Sequence, residues 1–187
     1  MSESLINIQV GWAPVIEQLN KAVAGLGNRR GLMSQVAGIM MRAVEDNFAA
    51  EGRPRWVDLA DSTKASRAAQ GTWPGKILQR SGRLAASIQE RWDNDSAAVG
   101  TNVVYAAIQQ FGGRTKPHVI EAKHARALSF GGICVRKVNH PGSVIPARRF
   151  LSITPSDQRE IYLAAQEFLA DRVMRGAFKQ ISEFLPH

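Results

Sequence analysis

The residues of this chain best able to ligate a metal or carry a proton are three internal histidines, His118, His124 and His140, and one cysteine, Cys134. Their spacing does not assemble a site. Five residues separate His118 from His124, which matches neither a helical ligand pair nor a zinc-finger pair, and no acidic or cysteine cluster accompanies them. Asp93 and Asp95 are close enough in sequence to act as paired carboxylates, but they fall in Asp93-Asn-Asp-Ser96, where turn chemistry is the stronger reading. Gly25-Leu-Gly27 lacks the third glycine and the preceding strand of a dinucleotide loop, and the chain has no Walker lysine sequence. Cys134 sits in Gly132-Ile-Cys-Val135, where the expected role is a small buried hydrophobe. Nucleophile, base and cofactor loop do not converge, so neither catalysis nor a bound metal or cofactor is expected.

What the chain does carry is organised positive charge. The formal net charge is +8, and it is not evenly spread. Residues 53–92 contribute +5 and residues 114–150 contribute +7, while residues 1–52 and 151–187 each carry −1 and residues 93–113 carry −2. A cationic middle between nearly neutral ends favours nucleic acid, an acidic protein surface or an anionic membrane. Arg dominates over Lys, which suits bidentate contact with carboxylate or phosphate. Trp56, Trp73 and Trp92 lie in this basic region, an arrangement that can stack on bases. Trp56 and Trp92 adjoin apolar patterns and are expected to anchor the core. Trp73, between Gly71 and Pro74, is the candidate for an exposed anchor at a partner interface.

The elements that must position these residues can be read from periodicity. Trp12, Val15, Ile16, Leu19, Val23 and Leu26 predict a first helix, and Gly25-Leu-Gly27-Asn28 a turn. Leu32, Val36, Ile39, Met40, Ala43, Val44 and Phe48 predict a second helix that stops near Gly52-Arg-Pro54, completing an N-terminal helical hairpin. A short helix is expected from about Ser62 to Gln70, capped by Asp58 or Asp61. Residues 83–92 and 97–100 predict a hairpin around the Asp93–Ser96 turn. Val104, Ala107, Ile108 and Phe111 then share one face of a helix that Gly112-Gly113 terminates. His118–Glu121, Ala127–Phe130 and Ile133–Val138 predict strands, with Gly131-Gly132 as a two-residue hairpin connection. Thr154-Pro-Ser-Asp157 starts the last helix: a cap, a proline at the first position and an acid against the dipole. Ile161, Ala165, Phe168, Leu169 and Val173 line one face of it. Gly176 is a possible bend, before Phe178, Ile181 and Leu185 resume the stripe. The fold class is α+β: a small antiparallel β-sheet with packed helices, an N-terminal helical hairpin and a long C-terminal helix.

The 187 residues, 44% of them apolar, suit a single domain over 1–187 with a real core. It divides into an N-terminal helical region at 1–52, an α+β core at 53–153 and a C-terminal helix at 154–187. No apolar run approaches the ~20 residues that span a bilayer, and no membrane association is expected. The start, Met-Ser-Glu-Ser-Leu-Ile, lacks the pattern of a secretory signal. One cysteine excludes an internal disulfide framework, consistent with synthesis in a reducing cytoplasm.

Two segments narrow the reading further: Val99-Gly-Thr-Asn-Val-Val-Tyr-Ala-Ala-Ile-Gln-Gln-Phe-Gly-Gly113 and Val144-Ile-Pro-Ala-Arg-Arg-Phe-Leu151. With Phe48-Ala-Ala-Glu-Gly-Arg-Pro-Arg-Trp56, Leu59, Thr63 and Ile77-Leu-Gln-Arg-Ser-Gly-Arg-Leu-Ala-Ala-Ser-Ile88, they make four blocks in order across roughly residues 45–155. The set resembles the phage virion-morphogenesis or tail-completion family, the Mu G-like and P2 S-like group. The chain departs from the family pattern at Gln109, often His, and at Arg149, often Pro.

The resemblance implies a non-enzymatic structural virion protein of a tailed bacteriophage, located in the tail or neck, that completes the tail and forms part of the head–tail junction. The implied partners are other copies in a ring, expected as a hexamer, the tail tube or tail terminator, and the head–tail connector, with non-specific DNA contact in the lumen. Arg148, Arg149, Trp73, Arg114, Lys116, Arg136 and Lys137 are the candidate interface residues. Consecutive strand residues point oppositely, so one of Arg148 and Arg149 is expected to meet a partner carboxylate while the monomer's stability ignores both. Phe150 and Leu151 are expected in the core. Residues 114–143 are expected to be an assembly surface that is mobile in the free monomer. The alternative is a non-enzymatic nucleic-acid-binding module using the basic centre; a hydrolytic enzyme ranks third.

Overall fold

A computed structural model describes residues 27–122, 127–130 and 133–184. The first expected helix, His124 and the Gly131-Gly132 turn lie outside these residues, as do the side chains of the stripe from Val173 onward.

Helix α1 (Arg30–Ala49) is the centre of the molecule. Its apolar positions are too many for a single stripe, and the helix buries Leu32, Met33, Val36, Ile39, Met40, Val44 and Phe48 on more than one side. One side meets the hairpin of β1 (Gln89–Trp92) and β2 (Ala97–Gly100), and another meets the last helix. The hairpin runs in register from Gln89↔Gly100 to Trp92↔Ala97, with the expected Asp93–Ser96 turn between its strands. That turn reaches α1: Asn94 Oδ1 accepts from the Arg29 N–H at 2.8 Å, and Arg29 pairs with Asp95. Acidic groups at a helix N-terminus offset its unpaired N–H groups.

The far end of α1 is held by segment 76–79. Gln79 Nε2 donates to Phe48 O at 2.7 Å, Lys76 Nζ to Ala49 O at 3.2 Å, and the Ile77 N–H to Glu51 Oε1 at 2.7 Å. Between lies α2 (Asp61–Ala69), whose N-cap is Ala60 with no side-chain cap. Asp58 instead accepts from its neighbour's N–H and from Lys64, so neither Asp58 nor Asp61 caps the helix as expected. Residues 83–86 form a single helical turn, α3 (Arg83–Ala86), rather than the start of a strand.

After β2 comes α4 (Ala106–Phe111), then a long antiparallel ribbon. Its strands are β3 (Gly113–Arg114), β4 (His118–Glu121), β5 (Leu128–Phe130), β6 (Ile133–Val135), β7 (Lys137–His140) and β8 (Val144–Ile145). β3 pairs β8, β4 pairs β7 and β5 pairs β6. One register runs from Gly113↔Ile145 through His118↔His140 to Glu121↔Lys137. It shifts at the tip, where Leu128 pairs Val135. The single strand expected over 133–138 is therefore interrupted at Arg136, where the register changes. Gly142 at φ +85° sits where a Cβ would strike the Thr115 carbonyl, so this return of the ribbon needs glycine.

Helix α5 (Pro155–Phe184) starts as read from sequence and continues through Gly176 without interruption. Thr154 Oγ1 accepts from the Asp157 N–H at 3.3 Å, and Asp157 Oδ2 accepts from the Thr154 N–H at 2.7 Å, a reciprocal cap. Ile161 and Ala165 are buried against α1, with Phe168 and Leu169 packed partly on the core. Phe150 is fully buried, its ring centroid 5.5 Å from that of Phe48, which meets Trp56 edge-on at 5.8 Å. Helices around small antiparallel sheets make this an α+β fold, as expected.

Candidate assembly surface

Helix α4 shows how the candidate surface is built. Its apolar stripe, which begins at Val104 in the turn just before the helix, faces outward. Val104 is 85% exposed and Phe111 59%, with Ile108 between them only half-buried. The buried side holds Val103, Ala106 and Gln110. A helix this short faces the core with whichever side can satisfy the backbone beside it. Here that backbone is the 145–151 segment: the Leu151 N–H donates to Gln110 Oε1 at 3.0 Å, Gln110 Nε2 donates to Leu151 O at 3.2 Å, and the Arg148 N–H donates to Gln109 O at 2.7 Å. Gly112, at φ +73°, lets α4 approach this segment, because a Cβ there would lie 2.8 Å from the Ala147 nitrogen. The apolar stripe is left facing outward, with Tyr105 beside it at 43% exposure.

The 147–151 segment is irregular rather than a strand, but its burial alternates: Ala147 out, Arg148 in, Arg149 out, Phe150 in. Arg148 and Arg149 do point to opposite sides. Arg148 is spent within the monomer, donating from Nε to Val57 O at 3.0 Å and from Nη2 to Asp58 O at 3.1 Å. Burial, with Arg67 nearby, lowers its pKa from the usual arginine value, and Asp58 partly offsets this. The expectation that its loss spares monomer stability is therefore corrected. Arg149 is exposed.

The other candidates separate into two places. Arg114, Lys116, Arg136 and Lys137 are all exposed on the ribbon, and Lys137 pairs with Glu121 at 3.4 Å. β4 is exposed along its whole length, with Val119 and Ile120 open on opposite faces, so nothing among the described residues layers this ribbon. Cys134 is exposed there as well, not buried as expected, since a two-stranded ribbon has no interior. Trp73 lies elsewhere, half-buried, with Lys64 Nζ 5.9 Å from its ring centroid. Trp56 is in the core, whereas Trp92, expected there too, is 36% exposed.

The described residues contain no group of three or more His, Cys, Asp or Glu that could hold a metal. His118 and His140 do stack across β4 and β7, 5.0 Å between centroids. His118 Nδ1 faces the Lys116 carbonyl at 3.0 Å and so carries its proton there, whereas His140 Nδ1 accepts from the Gly142 N–H at 3.1 Å. The two rings face each other as a directly opposed cross-strand pair of the ribbon.

Sequence reading missed a polar network beneath this surface. Arg53 forks onto Asp157 at 3.0 and 3.3 Å, and donates to Asn47 Oδ1 at 3.0 Å and Ala43 O at 2.9 Å. Asn47 Nδ2 donates to Phe150 O at 2.9 Å and Ser152 O at 2.8 Å. The network ties α1, the 150–152 segment and the start of α5 together. Its only local signal was Asn47, a polar residue inside the apolar face of α1.

No helix among the described residues is long and apolar enough to cross a membrane. Residues 10–170 match the phage virion morphogenesis family, and the chain belongs to it. Among relatives, it is 36% identical over 168 residues to the Mu-like prophage FluMu G protein 2 of Haemophilus influenzae, covering 90% of this chain and 96% of that one. It is 34% identical over 88 residues to the putative capsid assembly protein G of Escherichia phage Mu, covering 45% of this chain and 56% of that protein. No solved structure matches.

Proposed function

We propose that this protein is a non-enzymatic structural component of a tailed phage particle that completes the tail and forms part of the head–tail junction. Membership of the virion morphogenesis family carries the reading. The surface supports assembly as the mode of action: an apolar stripe turned outward on α4, and a cationic ribbon with no layer against it among the described residues. A relative named as a capsid assembly protein points the same way. A ring of copies, with six as the expected number, needs two different contact surfaces on each protomer. Two exposed apolar faces support this part of the proposal: the α4 stripe and the outer face of α5, where Tyr162 and Leu163 are 41% and 50% exposed. The tail tube or terminator and the head–tail connector are the proposed neighbours, and the virion tail or neck the proposed location. Removing the gene should leave filled heads and finished tails that do not join; normal yields of infectious particles would overturn the reading.

A second reading, contact with nucleic acid, is favoured by the ribbon alone. Residues 113–145 hold six Lys and Arg against one Glu. If DNA is the target, log affinity should fall with log salt at a slope of about −0.9 per phosphate neutralised, several phosphates in all.

A further inference from the structure

Beside the 147–151 segment lies a cleft of about 350 Å³ lined by Arg53, Arg55, Trp56, Val57, Ala147 and Arg149, among others. Its guanidinium groups are not equivalent. Arg53 is neutralised by Asp157 and Asp46. Arg55, exposed, leans on Glu51 at 3.5 Å. Arg149 has no carboxylate within ion-pair distance among the described residues, although it follows directly on Arg148, whose Nε and Nη2 donate to carbonyls within the monomer. The cleft also offers apolar surface, with Val57 61% exposed next to the buried Trp56. An uncompensated planar fork beside apolar side chains fits a carboxylate with an apolar neighbour in sequence.

We infer that this cleft binds an acidic, partly apolar segment of a different virion protein, with Arg149 engaging its carboxylate. The inference rests on the morphogenesis reading above and names the chemistry of one partner. Charge argues against a second copy as the occupant. Each copy carries +8, and Asp46, Glu51, Asp58, Asp157 and Glu160 are already committed to ion pairs inside it. DNA would supply the anion but has no apolar side chain to set against Val57.

The test uses a phage that carries this gene. A photo-crosslinking residue in place of the exposed Val57, which lines the same cleft and leaves Arg149 intact, should, in purified particles, join to an Asp- or Glu-bearing segment of another virion protein. Arg149→Glu should fold with an unchanged melting temperature yet enter particles roughly 30-fold less, or worse, as expected when a paired charge is reversed. Crosslinking to a second copy of this chain, to DNA, or to nothing in particles of normal composition would overturn the proposal, as would normal incorporation of Arg149→Glu. These failures are separable from failure of the wider reading. If deleting the gene blocks assembly while Arg149→Glu does not, only the cleft assignment falls. If deletion changes nothing, the morphogenesis role falls with it.

Discussion

The side chain of Gln110 pairs with the backbone of Leu151 at two points, accepting from its N–H at 3.0 Å and donating to its C=O at 3.2 Å, in a site where both residues are almost wholly buried. It thereby does what a neighbouring strand would do for Leu151 and decides which side of α4 faces inward. Gln110→Met keeps the volume but strands both backbone groups, which should cost about 1–3 kcal/mol. Urea unfolding measures this, and a loss under about 0.5 kcal/mol, no more than a surface substitution costs, would show the pairing to be dispensable.

Arg148 and Arg149 should behave oppositely. Arg148→Met retains the apolar stem but removes both donors to the Val57 and Asp58 carbonyls, and we expect a loss of about 1.5–3 kcal/mol. Arg149→Ala should stay within about 0.5 kcal/mol of the parent. Equal effects on thermal stability would contradict the alternating burial.

Phe150→Ala removes a ring with no exposed surface that packs on Phe48. The expected destabilisation is about 3–5 kcal/mol. A variant as stable as the parent would mean that this ring does not anchor the core.

The ribbon should exchange its amide hydrogens faster than α1 in the free protein and slow markedly in the particle. Its strands are narrow and open to solvent, while α1 is buried on several sides. Replacing residues 116–142 with a two-residue Asn-Gly turn should leave a cooperative thermal transition. Protection equal to that of α1 in free protein, or loss of folding on excision, would count against a separable arm.

Asp93 gives a pH test. Its carboxylate accepts from the Asp95 N–H, the Ser96 hydroxyl and the Ser96 N–H, and these hold its pKa below the usual 3.8. A folded pKa lower than the unfolded one adds stability that is complete above about 3.8 and fades as pH falls through the folded value. Carboxyl carbon shifts followed from pH 6 to 2 should titrate with a midpoint under 3.8. A midpoint at or above it would mean that the turn does not hold the charged form.

Local order was legible in the sequence wherever one short stretch carried the whole cause. The apolar periodicity of α1, the Asp93–Ser96 turn, and the cap and proline that open α5 each act within a few residues, as does the glycine pair ending α4. The four ordered blocks also sufficed for the family. Tertiary structure decided the rest, because the partners are far apart in the chain. Arg53 and Asp157 meet across 104 positions. Val104 and Phe111 obey a helical period, but period alone says only that a stripe exists, not which side has a core to meet. Gln110 won the inner side because Leu151 needed two hydrogen-bond partners there. Cys134 had buried-looking neighbours, yet it lies on a ribbon against which nothing described packs, so its surroundings were set by what the fold does not place beside it.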